Sequence, residues 1–145
     1  MKLAICTWNE LVAPVFDVSE SVMMVKISSG RVKNQKREDI SGLDLLARIR
    51  RLSDLKIETL VCGAISRPWH DIVTAWDIQI ISYVSGPVKQ VLDMLLKDGM
   101  NLHKFMMPGC PQSIHNHNLE VMAGIAQAKQ IRLNNKKGLS THHNN

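Results

Sequence analysis

Short apolar runs alternate with helical stripes along the first hundred residues of this chain. Residues 2–7, LAIC within KLAICT, form a run suited to a buried strand. The mixed segment WNELVAPVFDVSES, interrupted by Pro14, reads as a loop. Residues 22–28, VMMVKIS, are rich in β-formers, and SSGR turns them toward a further strand near RVKNQK. Leu45, Leu46, Ile49 and Leu52 then repeat at helical spacing, with Arg48, Arg50 and Arg51 off the stripe. IETLVCG at 57–63 predicts another buried strand. Ser66 takes the N-cap position of the next helix, and Pro68 falls in its first turn, where a missing N–H does no harm. Trp69, Ile72, Val73 and Trp76 supply that helix's stripe. IQIISYV predicts a strand, SGP breaks it, and Val88, Val91, Leu92 and Leu95 mark a helix ended by Gly99.

The resulting order is β-β-β-α-β-α-β-α. Strands alternating with helices imply right-handed crossovers and a largely parallel sheet, and the opening hairpin adds antiparallel pairing. The expectation is an α/β fold: a ribonuclease H-like, mixed five-stranded sheet with helices on both faces. Residues 1–100 form the expected domain and 101–145 a basic C-terminal tail. Within the tail, NLEVMAGIAQAKQIRL at 118–133 predicts a helix capped by Asn118, and NNKKGLSTHHNN predicts disorder.

Composition narrows the setting. Apolar residues make up 45% of the 145 and aromatics 4%, so aliphatic side chains must fill the interior. Three widely spaced Cys do not make a disulfide framework, which points to a reducing compartment. MKLAICTWNE is too short an apolar start for a secretory segment, and no stretch reaches membrane-spanning length, so the expected location is cytoplasmic. Residues 1–98 hold 13 Lys and Arg against 12 Asp and Glu, while 99–145 hold 5 against 1; the tail thus carries +4 of the net +5. Without aromatic interleaving, that charge is a poor nucleic-acid footprint.

Catalytic chemistries fit badly. Two-metal phosphodiester cleavage needs several carboxylates converging from strand ends. KLAICT has none, and IETLVCG has only Glu58, at the wrong end. Cys6 and Cys62 fall in apolar strands, where a thiol acts as a small hydrophobe rather than a nucleophile. No Gly-rich phosphate loop, GxSxG or HExxH occurs. The chain therefore reads as a binder or carrier and not as an enzyme.

A binding edge remains. Ligands of open α/β sheets sit beyond the carboxyl ends of strands, and here that edge collects TWNE, CGAISRPWH and YVSGP. Two helices start there, so their N–H groups and positive dipole ends suit an anion, and Arg67 adds a charge. His70, in the first helical turn, lies close enough to contact such a ligand. Ordinary connecting loops explain the same residues equally well. In the tail, Cys110, His115 and His117 form C-x4-H-x-H, a soft thiolate with two imidazoles nearby. A structural zinc site wants four ligands at tighter spacing.

MKLAICTWNELVAPVFDVSES resembles the opening of the dinitrogenase iron–molybdenum cofactor biosynthesis domain, with its strand, polar turn and Pro-Val-Phe-Asp segment. LVCGAIS at 60–66 and VSGPVKQVLDMLL are similar to that domain's second half, and FMMPGC at 105–110 to a recurrent tail element. The resemblance covers roughly residues 1–110 and implies a ribonuclease H-like fold. It also implies binding or carriage of an iron–sulfur or iron–molybdenum–sulfur cluster, with cluster-assembly or acceptor proteins as partners. The matching loop positions are Asn9, Pro14, Phe16 and Asp17 in the first loop and Gly63, Ala64, Ile65 and Ser66 in the second. The stretch after Cys110 departs from the family's short tails. A cluster needs anion-stabilising N–H groups and exchangeable soft ligands, which the edge and the Cys110, His115 and His117 set offer together. The alternative is a protein-interaction or regulatory module of the same fold that binds no cluster.

Overall fold

The computed structural model describes residues 1–97 and 101–125. Strands β1 (Lys2–Trp8), β2 (Leu11–Val12), β3 (Ser21–Ser28) and β4 (Arg31–Asp39) precede helix α1 (Leu45–Asp54). Then follow β5 (Thr59–Val61), α2 (Arg67–Ala75), β6 (Gln79–Ile81) and α3 (Val88–Leu96). A last helix, α4, spans 112–125 within the described residues.

The strands form one six-stranded mixed sheet in the order β4-β3-β1-β5-β6, with β2 pairing onto β1. The β1–β3 and β3–β4 ladders are antiparallel, whereas β1–β5 and β5–β6 are parallel. Ser28 and Arg31 face each other across the β3–β4 turn, whose two residues, Ser29 and Gly30, both have positive φ (54° and 74°). This is the left-handed geometry that suits the twist of a two-residue hairpin.

Side-chain alternation on β1 divides the interior in two. Leu3 and Ile5 join one core with Val25, Val61, Ile81 and residues of α3. Ala4 and Cys6 join the other with Val22, Leu60, Ile80, Ile49 and Leu52 of α1 and Val73 of α2. Helices thus cover both faces, as the pattern predicts. Leu102, Val121 and Met122 pack into the first core, so residues from the expected tail complete the layer begun by α3.

Four sequence expectations need correction. The sheet has six strands and not five, because the chain reverses at Asn9 (φ 55°) and Leu11–Val12 pair back onto Thr7 and Trp8. Trp76 does not belong to the buried stripe: α2 ends at Ala75, and Trp76 sits in the cap position, exposed. Leu46 of α1 is also exposed, since Ile49 and Leu52 suffice to seat that helix. The helix expected over 118–133 begins at 112, and Asn118 is a buried mid-helix residue instead of its cap. The Gly99 helix stop, residues 126–133 and the expected disordered end lie outside the described residues.

Gly63 follows β5 where the first loop crosses the sheet. Phe16 N–H donates to the Ala64 carbonyl (2.8 Å), and Ala64 N–H donates to the Pro14 carbonyl (2.8 Å). A Cβ at position 63 would overlap the carbonyl oxygens of Ala13 and Pro14. Gly63→Ala is therefore expected to cost about 1–3 kcal/mol by forcing backbone apart. Gly124→Ala, where a Cβ meets nothing within 4 Å, is expected to be neutral or to stabilise by up to about 1 kcal/mol. Urea unfolding of both variants checks the contrast; equal midpoints would show that the loop yields freely.

Candidate functional site

Three loops leave the carboxyl ends of β1, β5 and β6, and backbone hydrogen bonds lace them together. Besides the Pro14–Ala64–Phe16 exchange, Val12 N–H donates to Gly86 (2.9 Å) and Val88 N–H to Glu10 (2.9 Å). Tyr83 N–H donates to Gly63 (2.9 Å). The tail then adds its own rung: Ser85 N–H donates to Phe105 (2.6 Å) and Met107 N–H to Tyr83 (2.7 Å). Tyr83 is held by both partners in the left-handed region (φ 61°), a conformation that costs a bulky residue free energy and persists only where its surroundings enforce it.

Next to Tyr83 lies a cavity of about 360 Å³ between the start of α2 and the body of α4. Arg67, His70, Ser82, Tyr83, Ser113 and His117 line it. Ser66 occupies the N-cap position of α2 with extended backbone, but its hydroxyl makes no cap hydrogen bond. The positive end of the α2 dipole and the Arg67 guanidinium therefore favour negative charge at this rim. Asp71, exposed, is a carboxylate on the same rim.

One side chain seats the tail helix against the sheet. Asn118 is fully buried, donates from Nδ2 to the Ser82 carbonyl (2.7 Å) and accepts the Ser82 N–H at Oδ1 (3.3 Å). Its amide thus pairs with the backbone of the chain leaving β6 much as a neighbouring strand would. The preceding residue, His117, is brought opposite His70 with ring centroids 5.8 Å apart and planes inclined at 65°. Nε2 of His117 is buried and has no hydrogen-bond partner among the described residues. Burial lowers the His70 pKa, and the neighbouring His117 adds to this, while Asp71 works in the opposite direction.

The predicted site residues separate into two groups. Phe16 is fully buried and Ile65 nearly so; with Pro14, Gly63 and Ala64 they join the first loop to the end of β5. Asn9 and Asp17 are exposed, and the Asp17 carbonyl accepts from Arg48 (2.9 Å). Ser66, Arg67 and His70 stand at or beside the cavity. Of Cys110, His115 and His117, the cavity receives His117 alone. Cys110 lies in the turn before α4, and its thiol donates to the Pro111 carbonyl (3.5 Å). Burial raises its pKa, against the His115 N–H, which lowers it. Among the described residues, no three His, Cys, Asp or Glu side chains gather to hold a metal ion.

Ser113 escaped the sequence reading, Tyr83 entered it only within the edge loop YVSGP, and Asn118 only as a helix cap. Asn118 at the head of NLEVM gave a cap signal that its burial overrides, and nothing local singles out Tyr83 within its loop or marks Ser113. Cys6 and Cys62 are fully buried, as their strands suggested. Burial pushes Cys6 to about 12, against a hydrogen bond from Ser19 and the Arg48 charge; burial and then Cys6 also raise Cys62. Both stay neutral thiols.

Because the folded state holds the His70 pKa below the unfolded value of about 6.5, the neutral ring is the form compatible with folding. Its contribution is fully present above that unfolded pKa and is lost as pH falls through the folded one. Urea unfolding between pH 7.5 and 5 is expected to show a smaller loss of stability in His70→Asn than in the parent. An identical pH slope in both proteins would remove His70 as the cause.

The sequence matches no family model and no curated protein. Solved structures do match. A proposed dinitrogenase of Methanocaldococcus jannaschii superposes with a TM-score of 0.59 at 16% identity, covering 68% of this chain and 90% of that one. The apo form of the orange protein of Desulfovibrio gigas gives 0.57 at 16% identity, covering 76% and 94%. A proposed NifB protein of Thermotoga, of the DUF35 family, gives 0.52 at 16% identity, covering 68% and 89%. At such identities, the likeness this chain shares with nitrogenase-related proteins and the orange protein is one of fold.

Proposed function

We propose that this chain carries a metal–sulfur cluster, iron–sulfur or iron–molybdenum–sulfur, or its precursor, and hands it to an acceptor without catalysing a reaction. The observation that carries this reading is the cavity at the carboxyl edge, where Arg67 and the start of α2 meet two imidazoles. Anionic clusters are stabilised by positive charge and N–H donors, and their exposed metals accept imidazole nitrogen. A carrier must also release its cargo, for which a few exchangeable ligands suit better than a closed cage. The nitrogenase-related names among the structural neighbours support the theme, as does the sequence resemblance. On this reading the sheet is a ribonuclease H-like one and the protein works in the cytoplasm. No helix of the described residues is long and apolar enough to cross a membrane.

A second reading rests on one observation. Trp8 and Leu11, paired across β1 and β2, are exposed at 46% and 44%, and Val15 and Val18 at 39% and 58%. Apolar side chains standing free along one loop suit a protein-interaction module. They also suit a carrier's acceptor contact.

Anaerobic titration with tetrathiomolybdate or a synthetic iron–sulfur cluster separates the two. A carrier is expected to give a saturable visible absorbance change. Arg67→Ser should weaken binding about tenfold, or roughly 1.4 kcal/mol. Bound metal no higher than on an unrelated protein would remove the carrier reading and leave the interaction module.

A further inference from the structure

His117 Nε2 poses a question the fold does not answer. A buried polar atom left without a partner costs about 1–3 kcal/mol, and such atoms in native structures call for a specific explanation. Here the atom belongs to a ring presented by α4, beside His70 of α2, and both rings border the cavity. We infer that His70 and His117 together bind one divalent transition-metal ion, each through a ring nitrogen, bridging α2 and α4. The inference rests on the carrier reading only in sharing its cavity, and it names the protein ligands there.

The ring spacing fits a shared ion. Imidazole binds zinc-like metals at about 2.0–2.1 Å. With roughly 1.1 Å from ring nitrogen to ring centre, each centroid lies about 3.2 Å from the metal. Two rings on one ion then have centroids about 5.2 Å apart at a tetrahedral angle and about 6.4 Å apart when collinear. The 5.8 Å between the ring centroids falls between these limits. Asp71 Oδ1 stands 3.8 Å from His70 Nδ1. The carboxylate is an electrostatic neighbour of that nitrogen, beyond hydrogen-bond distance.

The pair is also held in place from outside. Asn118, the neighbour of His117, is locked to the Ser82 backbone by two hydrogen bonds, so α4 does not have to be ordered when the ion arrives. Among the described residues no third His, Cys or carboxylate completes the set, and the remaining coordination positions fall to water or to ligands brought by the cargo. Two imidazoles select copper, zinc, nickel or cobalt over magnesium or calcium.

The test uses the full chain with His142 and His143 replaced by Ala, which removes adventitious imidazoles from the terminus. Aerobic titration with Co²⁺ alone should fill one site per chain with a visible d–d band, and Zn²⁺ should displace it. Mg²⁺ should not compete. His70→Ala and His117→Ala should each weaken Co²⁺ binding at least tenfold, and the double variant little further, because the two rings act as a unit. His117→Phe keeps an aromatic ring in place of the imidazole and should lose the metal while retaining the parent's circular dichroism spectrum. Co²⁺ affinity within threefold of the parent in His117→Phe or in His70→Ala would overturn the inference. Because the probe is a bare ion, its outcome is independent of the cluster titration: Co²⁺ binding with neither thiomolybdate nor iron–sulfur cluster bound sinks the carrier and keeps the pair, and the reverse sinks the pair alone.

Discussion

Strand β1 sends Leu3 and Ile5 into one core and Ala4 and Cys6 into the other, and residues 3–7 are all buried. Its backbone N–H and C=O groups have no water to turn to, so both edges must be paired along its length. The antiparallel ladder to β3 meets that demand on one edge; on the other, β5 pairs Leu3–Ile5, and β2 with the Ala13 N–H takes over from Cys6 onward. A strand buried on both faces also requires a helical layer on each side. α1 and α2 cover one face, while α3, with Val121 and Met122 of α4, covers the other. A slip of one residue in β1 would exchange the Leu3 and Ile5 row for the Ala4 and Cys6 row, overpacking one core and leaving cavities in the other.

That arrangement fixes where chemistry can occur. The carboxyl ends of β1, β5 and β6 emerge together, and their loops satisfy one another's backbone groups across the edge. Much of what resembles the cofactor-biosynthesis family serves this lacing: Gly63 admits the first loop, while Pro14, Phe16 and Ala64 bind it down. Arg67 and His70 remain at the rim with polar atoms not consumed by the scaffold. α4 completes the cavity through Asn118, whose buried amide takes the place of a missing strand neighbour at Ser82. Tyr83 bears the strain of the junction, held between Gly63 and Met107 in a backbone region that few bulky residues occupy.

Much of the fold was legible because its signals are local. A short apolar run marked β1, richness in β-formers marked β3, and helical stripes marked α1, α2 and α3, with Ile49 and Leu52 seating α1 as expected. Errors arose where local pattern and tertiary demand part. Two residues of β2 give no periodicity, and the strand exists because Asn9 reverses the chain onto β1. Trp76 keeps helical phase but falls at the position where α2 stops. Asn118 resembles a cap in isolation, yet its amide is spent on Ser82, 36 residues away.

The candidate site was half visible for the same reason. Arg67 and His70 follow a strand and open a helix, a placement that can be read within a dozen residues. His117 stood out as chemistry, in the company of Cys110 and His115, but not as the partner of His70. By itself the sequence determined the alternation of strands and helices, the two apolar faces of β1, the neutral buried thiols and the polar loops at the carboxyl edge. Each of these follows from the spacing of side chains on a regular backbone. Only the tertiary structure decided that α4 docks on β6, that His117 meets His70, and that Cys110 stays in the turn outside the cavity. Those outcomes depend on hydrogen bonds and packing between residues far apart in the chain, whose closing no local pattern records.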